Sequence, residues 1–318
     1  MTIRSFFKLV EIQTKAASII PFLIGTFYAI YRYDSFILKN FLLMLVSLLC
    51  IDMATTAINN YQDYKKANVK YGYGYESHNA IVRYNLGERS VRATIFMLLA
   101  IAAAFGFLLY LNTNIIVLLI GGMSFIIGIA YSYGPVPISR TPFGEVFSGG
   151  VMGFFIPILA IYIHVLDRGI ITLGISGGIL NLGVNIAELL YIILLSLPSV
   201  IGIGDIMLAN NICDIEDDIQ NGRYTLPIYI GKEKALKVFK ASYHFAYLTL
   251  LILIVLKAIP YFCILLLATY FLVSKHIKLF YDHQSKKDTF VLAVKNFIII
   301  NGALAIALGL GAVISVLI

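Results

Sequence analysis

Nine stretches of roughly twenty apolar residues leave this chain few possible folds. They run over 16–31, 38–58, 93–112, 114–132, 147–166, 186–208, 241–257, 260–274 and 295–317. A helix rises about 1.5 Å per residue, so each stretch is close to the length that crosses a hydrocarbon core about 30 Å thick. Composition agrees: 60% of residues are hydrophobic, 13% are charged, and mean hydropathy is +0.88. A soluble domain carries about 25% charged residues. The expected architecture is an all-α membrane protein of about nine transmembrane helices around a central cavity, capped by cytoplasmic loops. Residues 1–318 are expected to form a single integral membrane domain. Pro21, Pro157 and Pro198 fall within spans, where each frees a backbone carbonyl and favours a kink or a cavity wall.

Lys and Arg set the orientation. With the N-terminus inside, 20 of the 24 lie on the inner side, and only Arg32, Lys39, Arg168 and Lys257 lie outside. This is a strong positive-inside bias. It predicts a multi-pass protein of the cell (plasma) membrane with a cytoplasmic N-terminus, and it accounts for the net charge of +7 without nucleic acid. No soluble segment mixes basic and aromatic residues in the manner of a nucleic-acid surface. The start, broken by Arg4, Lys8 and Lys15, lacks the pattern of a cleavable signal peptide. Cys50, Cys213 and Cys263 have no metal-ligand spacing and read as small hydrophobes.

Two polar stretches at cytoplasmic helix ends carry the chemistry. The first is Asn59-Asn60-Tyr61-Gln62-Asp63; the second runs from Asn210-Asn211 through Asp214 to Asp218. Each sets an amide and a carboxylate four residues apart, on one helical face. Asp214 and Asp218 share that spacing too, while Glu216 and Asp217 point elsewhere. Hard oxygen ligands of this kind suit Mg²⁺, which takes one or two carboxylates and completes its shell with phosphate and water. Two such ends facing each other would hold metal on a diphosphate. The plainer alternative is a solvated acidic helix end. The stretches echo one another (Ala57-Ile58-Asn59-Asn60 and Leu208-Ala209-Asn210-Asn211), which hints at an internal duplication.

A diphosphate also needs cations. Lys65, Lys66, Arg83, Arg140 and Arg223 lie near the same membrane face, and Arg offers a bidentate grip. Asp52 lies about two turns deeper than Asn59 and reads as a helix–helix hydrogen bond. Asp205 falls on the opposite face from Asp214. Short helices are expected in the loop at 209–240, with a basic helix start at Lys232–Lys240 after Gly231. The glycine-bearing segment 167–185 reads as a plain connector. HExxH, GxSxG and Walker patterns are absent. An ion-coupled secondary transporter using Asp52 and Asp205 is the main non-enzyme alternative; a lipid transferase using CDP-alcohol donors is another.

Four blocks together resemble the UbiA superfamily of intramembrane aromatic prenyltransferases. They are Asn59 to Lys66; Ala130-Tyr131-Ser132-Tyr133-Gly134-Pro135-Val136-Pro137 with Gly144-Glu145; Asn210 to Asp218; and Gly222-Arg223-Tyr224-Thr225-Leu226 with Gly231. The second block looks most like the branch that uses 1,4-dihydroxy-2-naphthoate in menaquinone synthesis. The resemblance implies Mg²⁺ on Asp63, Asp214 and Asp218, assisted by Asn59 and Asn210, holding a polyprenyl diphosphate. It also implies Tyr131 and Tyr133 beside the allylic centre and an aromatic acceptor. A different aromatic or lipid acceptor is the alternative within the family. Members usually carry a further Asp four or six residues beyond Asp63. Here those positions are Ala67 and Val69, and the next acidic residue is Glu76.

Overall fold

The computed structural model describes residues 1–66 and 79–317. Among the described residues nine helices are long and apolar enough to cross a membrane: α1 Ile12–Tyr33, α2 Leu38–Lys65, α3 Glu88–Leu111, α4 Ile115–Ser132, α5 Gly144–Tyr162, α6 Ile186–Cys213, α7 Lys232–Val255, α8 Tyr261–Asp282 and α9 Phe290–Leu317. Every expected stretch is one of them. Several helices run past the apolar stretch that announced them. Lys232–Lys240 is the first two turns of α7, and α2 carries its polar stretch as regular helix to its end. Two short helices, Ile215–Gln220 and Leu226–Ile230, fill the loop between α6 and α7.

The largest core cluster draws Tyr28, Leu195, Phe239, Tyr243, Cys263 and Leu304 together from α1, α6, α7, α8 and α9. Phe96, Phe271 and Ile306 point outward and are largely exposed, the pattern of lipid-facing side chains. One close helix crossing has a sequence cause. Gly149 and Gly153 sit one turn apart on α5, and a Cβ on Gly149 would stand 2.5 Å from the Val200 carbonyl oxygen of α6. Small residues at this spacing let backbones approach. The same stretch, Gly149–Phe155, winds as a wider π-helical turn just before Pro157, which lacks the N–H to continue the ladder. A second wide turn, Ile298–Gly302 in α9, delivers Asn301 to the proline-bearing part of α6. Its amide donates to the Pro198 carbonyl at 3.2 Å, and Ser199 donates to its oxygen at 2.8 Å.

The connector expected over 167–185 is instead a β-hairpin. β1 (Ile171–Ser176) pairs antiparallel with β2 (Ile179–Val184), Leu173 opposite Leu182. The two-residue turn Gly177-Gly178 takes positive φ at both positions, 55° and 79°, the geometry whose twist suits a hairpin and which glycine adopts without strain. Near this end Arg32 makes a two-pronged pair with Glu188, at 2.9 and 2.8 Å.

Asp52 behaves as the helix–helix tie expected of it. Lys15 Nζ reaches its carboxylate at 2.6 Å and Thr56 Oγ1 at 2.7 Å, while Ser18 donates to its other oxygen at 2.6 Å. Asp205 is buried and accepts from Ser242 of α7 at 2.6 Å, so this carboxylate also joins two helices.

Candidate active site

A cavity of about 920 Å³ enters the bundle where α2 and α6 end. Asn59 and Asp63 line it from α2, Asn210 and Asp214 from the end of α6. Its wall continues down to Met44 on α2, with Leu109, Val117 and Leu159 from α3, α4 and α5. Met44 to Asp63 is about 28 Å of helix rise. The lining is thus a polar mouth above a long, mostly apolar shaft whose α2 side also carries Ser47, Asp52 and Thr55.

The two Asn-Asn pairs solve the same local problem. In each, the first amide faces the cavity and the second ties the helix end to its surroundings. Asn60 is buried, donates to the Leu9 carbonyl at 3.0 Å, and its own carbonyl accepts from Asn79 at 2.9 Å. Asn211 is fully buried and donates to Glu145 Oε1 at 2.8 Å. Each buried amide fixes the rotation of its helix, which aims the neighbouring Asn59 or Asn210 inward.

Past Cys213 the helix breaks. Asp214 leaves helical geometry at φ −102°, ψ 11°, and the Ile215–Gln220 helix begins at once. Asn210 donates to Asp214 Oδ2 at 3.2 Å. The break separates the fates of the two carboxylates. Asp214 lines the cavity, whereas Asp218 is buried behind it and is not among the lining residues. Asp218 lies 3.3 Å from the Arg223 guanidinium and accepts from Thr225 Oγ1 at 3.2 Å. Burial pushes the Asp218 carboxyl above its usual range, and Arg223 works against that rise. Arg223 itself faces the cavity, so Asp218 orients a cation at the mouth.

The other sequence-derived candidates divide. Arg140, Arg223 and Tyr131 line the cavity. Tyr131 Oη is buried without a hydrogen-bond partner of good geometry among the described residues, while the Arg223 Nε is the atom that faces Asp218 Oδ1 at 3.3 Å. Lys65 turns aside to Glu88 at 2.9 Å, Arg83 packs beside the Tyr84 ring, and Tyr133 is 58% exposed; none of the three lines the cavity. The Lys66 side chain and Glu76 lie outside the described residues. Glu216 and Asp217 are exposed as expected.

A basic cavity residue escaped the sequence reading. Lys286, between α8 and α9, lines the mouth and donates to both Asn210 Oδ1 and Asp214 Oδ2. Its only prior signal is its place in a basic cytoplasmic loop.

Among the described residues no three His, Cys, Asp or Glu side chains converge on one point. The donor set is instead one carboxylate and one amide from each side of the mouth, with Arg140 and Arg223 between. That set fits Mg²⁺ completed by substrate phosphate and water, and it does not fit a protein-only metal cage.

The profile of the UbiA prenyltransferase family matches residues 18–301, nearly the whole chain. The chain belongs to this family. The Bacillus subtilis (strain 168) protein named 1,4-dihydroxy-2-naphthoate octaprenyltransferase is 33% identical over 249 residues, covering 77% of this chain and 72% of the relative. A UbiA homolog from Archaeoglobus fulgidus, solved with DMAPP and Mg²⁺, superposes with a TM-score of 0.65 at 16% identity, covering 97% of this chain and 99% of that one. The UbiA homolog from Aeropyrum pernix K1 gives 0.63 at 18% identity over 98% of each chain. At these identities the solved structures establish the shared UbiA fold.

Proposed function

We propose that this UbiA-family protein transfers a polyprenyl group from polyprenyl diphosphate to 1,4-dihydroxy-2-naphthoate. The products are demethylmenaquinol, diphosphate and CO2, a step of menaquinone biosynthesis. The observation that supports this most is the pairing of Asn59/Asp63 with Asn210/Asp214 across one mouth above an apolar shaft. The 33% identical naphthoate prenyltransferase supports the choice of acceptor.

In this reading Asp63 and Asp214, with Asn59 and Asn210, hold Mg²⁺, and Asp218 holds Arg223 beside it. Bound there, Mg²⁺ supplies charge neutralisation to the departing diphosphate. Arg140 and Arg223 hold phosphate oxygens and stabilise the charge that grows on them as the C1–O bond breaks. The shaft from Met44 to Leu159 takes the prenyl tail and keeps water from the allylic carbon. Tyr131 presents its ring to the developing positive charge. The acceptor's carboxylate-bearing carbon then bonds to C1, and departure of CO2 leaves the electron pair that restores aromaticity. The positive-inside bias supports a cytoplasmic mouth at the plasma membrane for this chemistry.

The test is incubation of purified protein with 1,4-dihydroxy-2-naphthoate, a polyprenyl diphosphate and Mg²⁺, with product read by mass spectrometry. Prenylated quinol from wild type, lost by at least about 100-fold in Asp214→Ala, is expected. Consumption of the diphosphate with other phenolic acids but not with the naphthoate would move the acceptor. Full turnover by Asp214→Ala would remove the metal assignment.

A further inference from the structure

We propose that Lys286 is an exchangeable counter-ion. In the free enzyme it occupies the Asn210/Asp214 pair, and on loading it transfers to the substrate's diphosphate. This rests on the diphosphate site proposed above and adds a residue and an order of events to it.

The geometry places Lys286 deliberately. The loop carrying it is pinned on both sides. Gln284 donates to the Phe280 and Tyr281 carbonyls at 2.8 and 2.6 Å, and Ser285 N–H donates to Thr289 Oγ1 at 2.9 Å. The N–H groups of Thr289 and Phe290 return to the Ser285 carbonyl at 3.0 and 2.9 Å. From this fixed base the ammonium spans to Asn210 and Asp214 and lies 5.2 Å from the centre of the Phe290 ring. Phe290 also lines the cavity. The two oxygens that Lys286 holds are the second half of the proposed metal donor set.

One pair of oxygens cannot serve an ammonium and a divalent cation together, because like charges at contact distance repel. Metal arriving on Asp214 therefore releases Lys286. The loop anchors the stem, and Glu11, Asp63, Arg140 and Arg223 are the other charged groups that line the cavity near the helix ends, with Asp52 deeper and already paired to Lys15. The strongest new partner within its reach is then the diphosphate. The exchange keeps Asp214 neutralised in both states, and it makes metal and diphosphate binding mutually favourable: each relieves a cost that the other meets alone.

The two ligands should respond to removal of Lys286 with opposite signs. With Mn²⁺ as the spectroscopic probe, electron paramagnetic resonance titration of Lys286→Ala is expected to show severalfold tighter Mn²⁺ binding than wild type without diphosphate. Affinity for geranyl diphosphate in saturating metal should fall about tenfold, the scale of one charge-assisted hydrogen bond. Lys286→Arg should recover most of that loss. Lys287→Ala, one residue along and outside the cavity lining, should change neither value, which separates a specific contact from net charge. Weaker binding of both ligands by Lys286→Ala, or no change in either, overturns the proposal. If wild type itself shows no metal-dependent binding of geranyl diphosphate, the diphosphate site falls, and this inference falls with it. If wild type binds and Lys286→Ala matches it, only the exchange is refuted.

Discussion

Breaking the Lys15–Asp52 pair should cost different amounts from its two ends. Lys15 joins the start of α1 to the middle of α2, and its side chain is 2% exposed against 13% for Asp52. Removing one partner of a buried pair leaves the other charge unpaired in low dielectric, at a cost of about 3–5 kcal/mol. Asp52→Leu strands the ammonium with only Thr56 Oγ1 at 2.7 Å and the backbone carbonyl of residue 52 at 3.1 Å, in a closed environment. It should pay the full amount. Lys15→Met leaves Asp52 with its 2.6 Å bond from Ser18 and with access to the cavity that it lines. Water can reach that carboxylate, and a loss of about 1–3 kcal/mol is expected. The double variant strands nothing and should lie within about 1 kcal/mol of wild type. The assay is reversible unfolding by denaturing detergent in mixed micelles, read as a double-mutant cycle, with a coupling of at least about 2 kcal/mol. Additive single variants would show that the two groups do not interact in solution. A milder loss from Asp52→Leu than from Lys15→Met would refute the argument from unequal burial.

The Asn-Asn pairs predict a split between neighbours. Asn59→Ala should lower turnover and leave stability nearly unchanged, whereas Asn60→Ala should cost about 1–3 kcal/mol for its lost buried hydrogen bonds; thermal unfolding and product formation measured on both variants decide this. His164, between α5 and the hairpin, is 1% exposed, and its Nδ1 accepts from the Ile37 N–H at 3.1 Å, so it is held neutral. Burial pulls its pKa down to about 4 from 6.5. The stability this neutral form supplies is complete above the unfolded value and is lost as pH falls from 6.5 towards 4. The total is about 3 kcal/mol. His164→Gln should flatten that limb of the stability–pH curve; parallel curves for the two proteins would refute it.

What the sequence could and could not reveal follows from the range of each interaction. Hydropathy located the nine membrane-length helices of the described residues because lipid exposure acts on every residue of a span. It misplaced their ends because a helix continues on its own hydrogen bonds after the apolar run stops, as α2 does to Lys65 and α7 does from Lys232. The hairpin over 171–184 differs from the plain connector expected there, although Gly177-Gly178 between apolar alternations is a recognised turn signal; it is the position of the two glycines, not their number, that carries it. The four-residue spacing puts Asn59 with Asp63 and Asn210 with Asp214 on one side of their helices, and the structure brings all four to one cavity. The spacing failed to place Asp218 because the helix ends at Cys213, and a face cannot be counted across a break. Lys286 was out of reach on the same logic: 72 residues separate it from Asp214.

The doubled asparagines show how a short motif can encode both a site and its support. A single cavity-facing amide at the end of a transmembrane helix would sit on the part of the helix most prone to fray, where the last carbonyls lack partners. A second amide next to it lies about 100° around the helix and so reaches a different neighbour. In α2 that neighbour is the carbonyl of Leu9, at the end of the short helix Ile3–Leu9; in α6 it is Glu145 at the start of α5. The anchors differ in element and in chemistry, yet the outcome is the same. The residue beside each anchor is turned to the cavity, with a carboxylate four residues further on. A duplication would transmit the Asn-Asn-x-x-Asp spacing without transmitting the anchor, because the anchor depends on whatever packs beside the helix. The echo between the two stretches therefore covers the Asn-Asn-x-x-Asp spacing and not the partners that anchor it.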